Sequence, residues 1–281
     1  MSIKKSLQTY ILLLSTIPVI IVTILAYIIA SNKYLDLNQE SLKATTLVYK
    51  DAFESQISSQ LIETESVANL NNVKSYLLDK INDSNISLVE ASAYYKPVTV
   101  DLTTTAKNYG DNVNYYLYDI DGYLVASSTG STNSGDWFEY MDSSILDFKT
   151  SQVLINAAIS TTSHKNSIDI ISPVVVNNST IGILRANINV DYFGSFISNK
   201  KGNYILCNDD SFLFGMDDLY ESDPVLVEKA NKIIDDYIKY DSSKDLSGTI
   251  TNTGTDGYLM YGYSVISKYN WLYITRQDSS A

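Results

Sequence analysis

Asn114-Tyr-Tyr-Leu-Tyr-Asp119, the dipeptide Asp121-Gly122 and Tyr123-Leu-Val-Ala-Ser127 read together as an antiparallel hairpin. Glycine after aspartate accepts the positive φ that a tight hairpin turn needs. A second hairpin follows, Ser167-Ile-Asp-Ile-Ile-Ser-Pro-Val-Val-Val176 and Ile181-Gly-Ile-Leu-Arg-Ala-Asn-Ile-Asn-Val190, turning at Asn177-Asn178. The pattern then recurs. Tyr116-Leu117 and Asp121 match Tyr204-Ile205 and Asp209 without a gap, and the apolar pairs Leu124-Val125 and Phe212-Leu213 follow each. A helix is predicted at Pro224–Tyr240, capped by Ser222 or Asp223 with Pro224 at its first position. Tyr258–Ile266 and Trp271–Thr275 form a closing hairpin. An offset of about 90 residues is too long for a solenoid repeat and suits two small subdomains. Order, turn chemistry and spacing agree, and the expectation is a duplicated α+β domain.

Upstream, Lys33 to about Ile81 contains no Gly or Pro, and apolar residues recur at helical spacing from Leu35 to Leu77. This predicts one long helix, or two in line. Packing along the domain is the favoured use of the stripe, and a homodimer seam through this stalk is the alternative. Before it, Ser6 to Asn32 carry no charge and Tyr10–Ala30 is almost wholly apolar. About 20 such residues cross a bilayer core of about 30 Å. A secretory signal is the nearest competitor, but Ala26-Tyr27-Ile28-Ile29-Ala30 offers no good cleavage motif. Lys4 and Lys5 precede the span and place the N-terminus in the cytoplasm under the positive-inside bias, with residues 33–281 outside.

That outer part carries 18 Lys and Arg (20 less Lys4 and Lys5) against 32 Asp and Glu, a net charge of −14. So acidic a domain repels nucleic-acid phosphates, and no nucleic-acid partner is expected. Cys207 is the single cysteine, which leaves no intrachain disulfide, and the length suffices to bury a core without one. His164, the single histidine, sits in the polar run Ser160-Thr-Thr-Ser-His-Lys-Asn166. One His and one Cys make no zinc set, and no phosphate loop or nucleophile elbow is present. No catalytic residue, metal or cofactor is therefore expected. Asp119-Ile-Asp121-Gly122 resembles part of a calcium loop, but Leu117 and Ser128 would occupy essential ligand positions, and the hairpin turn explains the motif.

A membrane helix, a long outer helix and two successive antiparallel-sheet subdomains together resemble the double Cache sensor domain of bacterial receptors. The residues that carry the resemblance are Tyr115-Tyr-Leu-Tyr-Asp-Ile-Asp-Gly122, Ser172-Pro173-Val174 leading to Ile181-Gly182-Ile183-Leu184, Asp191-Tyr192-Phe193 and Asn270-Trp271-Leu272-Tyr273. The resemblance covers about residues 33–276. It implies PAS-like subdomains and the division 1–6 cytoplasmic tail, 7–31 membrane helix, 32–85 outer helix, 86–197 membrane-distal subdomain and 198–281 membrane-proximal subdomain. It also implies small-molecule sensing in the distal subdomain, a second membrane helix after residue 276 and a cytoplasmic output: a methyl-accepting region, a histidine kinase or a diguanylate cyclase. The chain stops before these, so truncation is expected. A surface adhesion or structural module and an extracytoplasmic enzyme are the rivals.

Along the strand Ile183–Asp191, alternation sends Ile183, Arg185, Asn187, Asn189 and Asp191 one way and Leu184, Ala186, Ile188 and Val190 the other. Arg185 is one of two arginines in the chain, and a planar guanidinium suits a ligand carboxylate. As a lone Arg it is expected to be solvated or to await an anion, and folding is expected to survive its replacement by Ala or Lys. Trp137, Phe138 and Tyr140 are candidate pocket walls; Tyr116, Tyr118, Asn187 and Asp169 complete the ligand-binding set. The amino-acid-sensing branch of the family has an Arg two residues before a Trp-Tyr pair and an Asp on the strand after the Gly. Here those positions fall on Gly135 and Asn187, so both charged anchors of an α-amino acid are missing.

Overall fold

The computed structural model describes residues 3–82, 88–130, 150–156, 167–189, 192–193, 202–206, 212–214, 224–240, 246–254 and 257–276. Helix α1 runs unbroken over Ile3–Ala68, 66 residues or about 100 Å, straight through Pro18. Its first turns expose Leu14, Val19, Val22 and Leu25, as a helix bathed in hydrocarbon would. Of the two forms expected for the outer helix, the two-piece one is found. A kink at Asn69, whose side-chain amide caps Glu65 O at 2.8 Å, separates α1 from α2 (Asn71–Asn82). Helix α3 (Leu88–Lys107) was not legible beforehand, because Pro97 and the run Val98-Thr99-Val100 lack helical propensity and read as an extended segment.

Two five-stranded antiparallel sheets follow. The first holds β1 (Val113–Asp119), β2 (Leu124–Ser127), β3 (Gln152–Asn156), β4 (Ser167–Val176) and β5 (Ser179–Asn189), in the order β2-β1-β5-β4-β3. The second holds β6 (Asn203–Leu206), β7 (Phe212–Phe214), β8 (Ser247–Gly254), β9 (Gly257–Ile266) and β10 (Trp271–Arg276), in the order β7-β6-β10-β9-β8. Strand for strand the two orders are the same, which is the duplication that the sequence repeat announces. The β1–β2 turn has Gly122 at φ +88, and Asp119 organises it, its Oδ1 accepting from Tyr123 N at 2.8 Å and its Oδ2 pairing with Lys80 Nζ at 2.7 Å. Both oxygens of Asp119 serve the turn and α2, as the hairpin reading requires. The β4–β5 turn places Asn177 and Asn178 at φ +49 and +64, the doubly left-handed turn that matches sheet twist.

Most of the stripe of the outer helix packs within the chain, Val48 excepted. Leu42, Phe53, Ile57 and Val67 are buried against the two sheets, while Tyr34, Leu37, Val48 and Ile62 stay exposed on the opposite side. The second sheet packs nearest the apolar span. There Gly262 of β9 admits α1 so closely that a Cβ would strike the Thr46 hydroxyl, itself fixed by donating to Leu42 O at 2.7 Å. The first sheet packs farther along, on α1, α2 and α3, and is the distal one. On β10, Trp271 and Tyr273 join the core on the α1 side, whereas Leu272 and Ile274 meet helix α4 (Pro224–Tyr240) on the other face. Leu226, Ala230, Ile234 and Tyr237 give α4 its buried stripe.

Several buried tyrosines make stability sensitive to alkali. Burial raises the phenol pKa of Tyr109, Tyr115, Tyr118, Tyr263 and Tyr273, and among the described residues the hydroxyls of Tyr115 and Tyr273 have no hydrogen-bond partner to stabilise a phenolate. The folded state therefore keeps protons that the unfolded chain releases near pH 10. Since stability falls with pH wherever the native state binds more protons, the melting temperature should drop above about pH 10. Melting curves followed with tyrosinate absorbance test this. Free titration of every phenol at its ordinary pKa, with no loss of melting temperature, would contradict it.

Candidate functional site

The two sheets share a topology but not the use of their second face. In the proximal sheet the face away from α1 is closed by the apolar stripe of α4. In the distal sheet the corresponding face carries polar rows. Register aligns Asn114, Asn187 and Asp169 in one row across β1, β5 and β4, and Tyr116, Arg185 and Ile171 in the next. Leu184, Ala186 and Ile188 point to the helices and are buried, as the alternation of β5 predicts.

Arg185 and Asp169 lie diagonally between these rows, and Arg185 Nη2 is 2.7 Å from Asp169 Oδ2. Asp169 is fully buried. Its Oδ1 accepts from Asn187 Nδ2 at 2.7 Å, and that same amide nitrogen also donates to Ser167 Oγ at 2.8 Å. The guanidinium further donates to the Tyr118 phenol and lies over the Tyr116 ring, with Cζ 5.8 Å from its centroid. Burial works against the arginine's charge, but the Asp169 carboxylate outweighs it and the arginine pKa is raised. For Tyr118 burial raises the phenol pKa and Arg185 partly offsets it.

Five of the sequence-predicted site residues, Tyr116, Tyr118, Asp169, Arg185 and Asn187, thus meet on one sheet face. One expectation is corrected: Arg185 is not a lone cation awaiting an anion, because Asp169 already pairs with it. Ser167 was missed, and the acidic residue enclosed by Ile168 and Ile170 was the signal that β4 buries a charge needing partners. Trp137, Phe138 and Tyr140 lie outside the described residues, as do His164, Cys207 and Asp191.

A second feature joins the subdomains. Phe53 on α1 packs against Phe193 after β5 at 5.1 Å between ring centroids, and against Tyr273 and Trp271 of β10 at 6.2 and 6.4 Å. Tyr192 meets both Phe193 and Tyr109, and its hydroxyl accepts from Gln60 Nε2 at 3.0 Å. One hydrophobic core therefore runs from the distal sheet through α1 into the proximal sheet.

No protein-family model and no curated protein matches the chain by sequence. Solved structures do match its fold. The sensory domain of the Campylobacter jejuni chemoreceptor Tlp3 superposes with a TM-score of 0.56 at 12% identity, covering 88% of this chain and 96% of that one. The sensor domain of the Vibrio cholerae histidine kinase DctB gives 0.51 at 11%, covering 86% and 99%. The extracellular domain of a histidine kinase designated vpHK1S-Z8 gives 0.56 at 14%, covering 85% and 92%. The chain has their α+β fold, with the long helix and the two successive antiparallel sheets expected from the sequence.

Proposed function

We propose that this chain, built on the fold of chemoreceptor and histidine-kinase sensor domains, is the ligand-binding input region of a bacterial transmembrane receptor. The observation that carries the reading is the contrast between two sheets of one topology. A helix seals the outer face of the proximal sheet, while the same face of the distal sheet presents Tyr116, Tyr118, Arg185, Asn187 and Asp169. Concave sites of small ligands combine apolar walls with a few convergent polar groups of this kind. The Tlp3 structures with bound isoleucine or L-valine support a small-molecule ligand.

The apolar part of α1 anchors the domain, with Lys4 and Lys5 in the cytoplasm and both sheets outside. The same helix runs unbroken from the apolar span to contacts with both sheets, so a ligand that shifts the distal sheet biases a helix ending in the membrane. The test is a thermal-shift screen of small metabolites on the full chain in detergent. At least one should raise the melting temperature saturably, by mass action on the folded state. A broad screen without a single saturable hit would contradict sensing. A reporter active only outside the cytoplasm, fused after Ala281, should be active, and cytoplasmic activity would overturn the orientation.

A further inference from the structure

Among the described residues, the polar face of the distal sheet holds one cation and one anion, and the two are paired. Asp169 is fully buried, with Oδ2 at 2.7 Å from Arg185 Nη2 and Oδ1 accepting from Asn187, so an incoming ammonium group would have to displace the guanidinium from the carboxylate. An incoming carboxylate would share the Arg185 guanidinium with a carboxylate already 2.7 Å from it, a like-charge arrangement that burial makes more costly. What remain without a hydrogen bond among the described residues are a donor and an acceptor of the pair itself, Arg185 Nε beside the Tyr116 ring and Asp169 Oδ2, which suit a neutral polar group. A buried N–H without an acceptor is penalised until something supplies one.

We infer that the ligand is an uncharged polar molecule. It offers a carbonyl, ring-nitrogen or hydroxyl acceptor to Arg185 Nε, and neither a carboxylate nor an ammonium group anchors it. This rests on the sensing reading above and narrows it: the charged anchors absent at Gly135 and Asn187 are not replaced by Arg185, because Asp169 neutralises it.

The experiment compares four probe sets in the thermal-shift assay on the full chain in detergent. They are carboxylates (acetate, lactate, succinate), zwitterions (L-valine, L-isoleucine), cations (choline, ethanolamine) and uncharged compounds (uracil, adenine, nicotinamide, glucose). Hits are titrated calorimetrically against the native chain and against the double variant Arg185→Met/Asp169→Leu, which removes both charges together and so leaves no unpaired ion. Saturable stabilisation should be confined to the uncharged set, and the double variant should bind such a hit at least about tenfold more weakly. Binding of a carboxylate, zwitterion or cation that the double variant loses would overturn the ligand class while leaving sensing at this face intact. An uncharged hit bound equally well by the double variant would overturn the role of Arg185. Stabilisation by no probe would overturn this inference and count against the sensing reading as well.

Discussion

Phe53→Ala is expected to destabilise the domain by about 3–5 kcal/mol, the usual cost of truncating a buried aromatic. For a domain of this size that lowers the melting temperature by roughly 6–20 °C. The effect is large because the ring is fully buried and meets Phe193, which follows β5, and Trp271 and Tyr273 of β10. Its loss opens a cavity where α1, Phe193 and β10 meet, and no single subdomain can collapse to fill it. The variant should also melt less cooperatively, since the shared core is what makes the two sheets unfold together. Lys43→Ala, at an exposed position of the same helix, should stay within about 0.5 kcal/mol. Differential scanning calorimetry reads both the shift and the shape. A Phe53→Ala transition as sharp and as hot as that of the native chain would mean the junction carries little of the stability.

Arg185→Ala is expected to cost about 3–5 kcal/mol, because it strands the carboxylate of Asp169 in a fully buried position. Asp169→Ala should cost a similar amount by stranding the guanidinium. The double change Arg185→Met/Asp169→Leu removes both charges and fills the space with apolar atoms. Replacing a buried pair in this way is often neutral, so it should recover most of the stability lost in either single variant. Denaturant unfolding of the three variants closes the cycle. Additive losses, with the double variant as unstable as the sum of the singles, would show that the two groups do not act as a pair.

Much of the architecture was legible in the residues. The hairpin β4–β5 was placed because Ser167–Val176 and Ile181–Val190 alternate cleanly about two asparagines that tolerate positive φ. Helix α4 was placed to the residue because Pro224 starts it and its apolar positions keep helical period. Strand β8, Ser-Gly-Thr-Ile-Thr-Asn-Thr-Gly, escaped notice because an edge strand pairs through its backbone on one side and has a single large apolar residue, Ile250, to bury. At the site, alternation put Arg185 and Asn187 on one face and the hairpin put β4 beside β5, but the register shifts between Val174 and Val175, and the diagonal setting of Asp169 against Arg185 follows from that irregularity rather than from the turn. The aromatic junction was out of reach because it depends on docking. Phe53, Phe193 and Tyr273 are distant in sequence, and their meeting depends on how both sheets dock on α1.

The central claim is that a small molecule binds the polar face of the distal sheet. A crystal structure of the outer region with a confirmed hit from the screen tests it most directly. The account predicts the ligand against Tyr116, Arg185 and Asn187, with an uncharged acceptor within hydrogen-bonding distance of Arg185 Nε and the Arg185–Asp169 pair intact. A ligand seated against the proximal sheet, with the distal face unchanged from its free form, would contradict it.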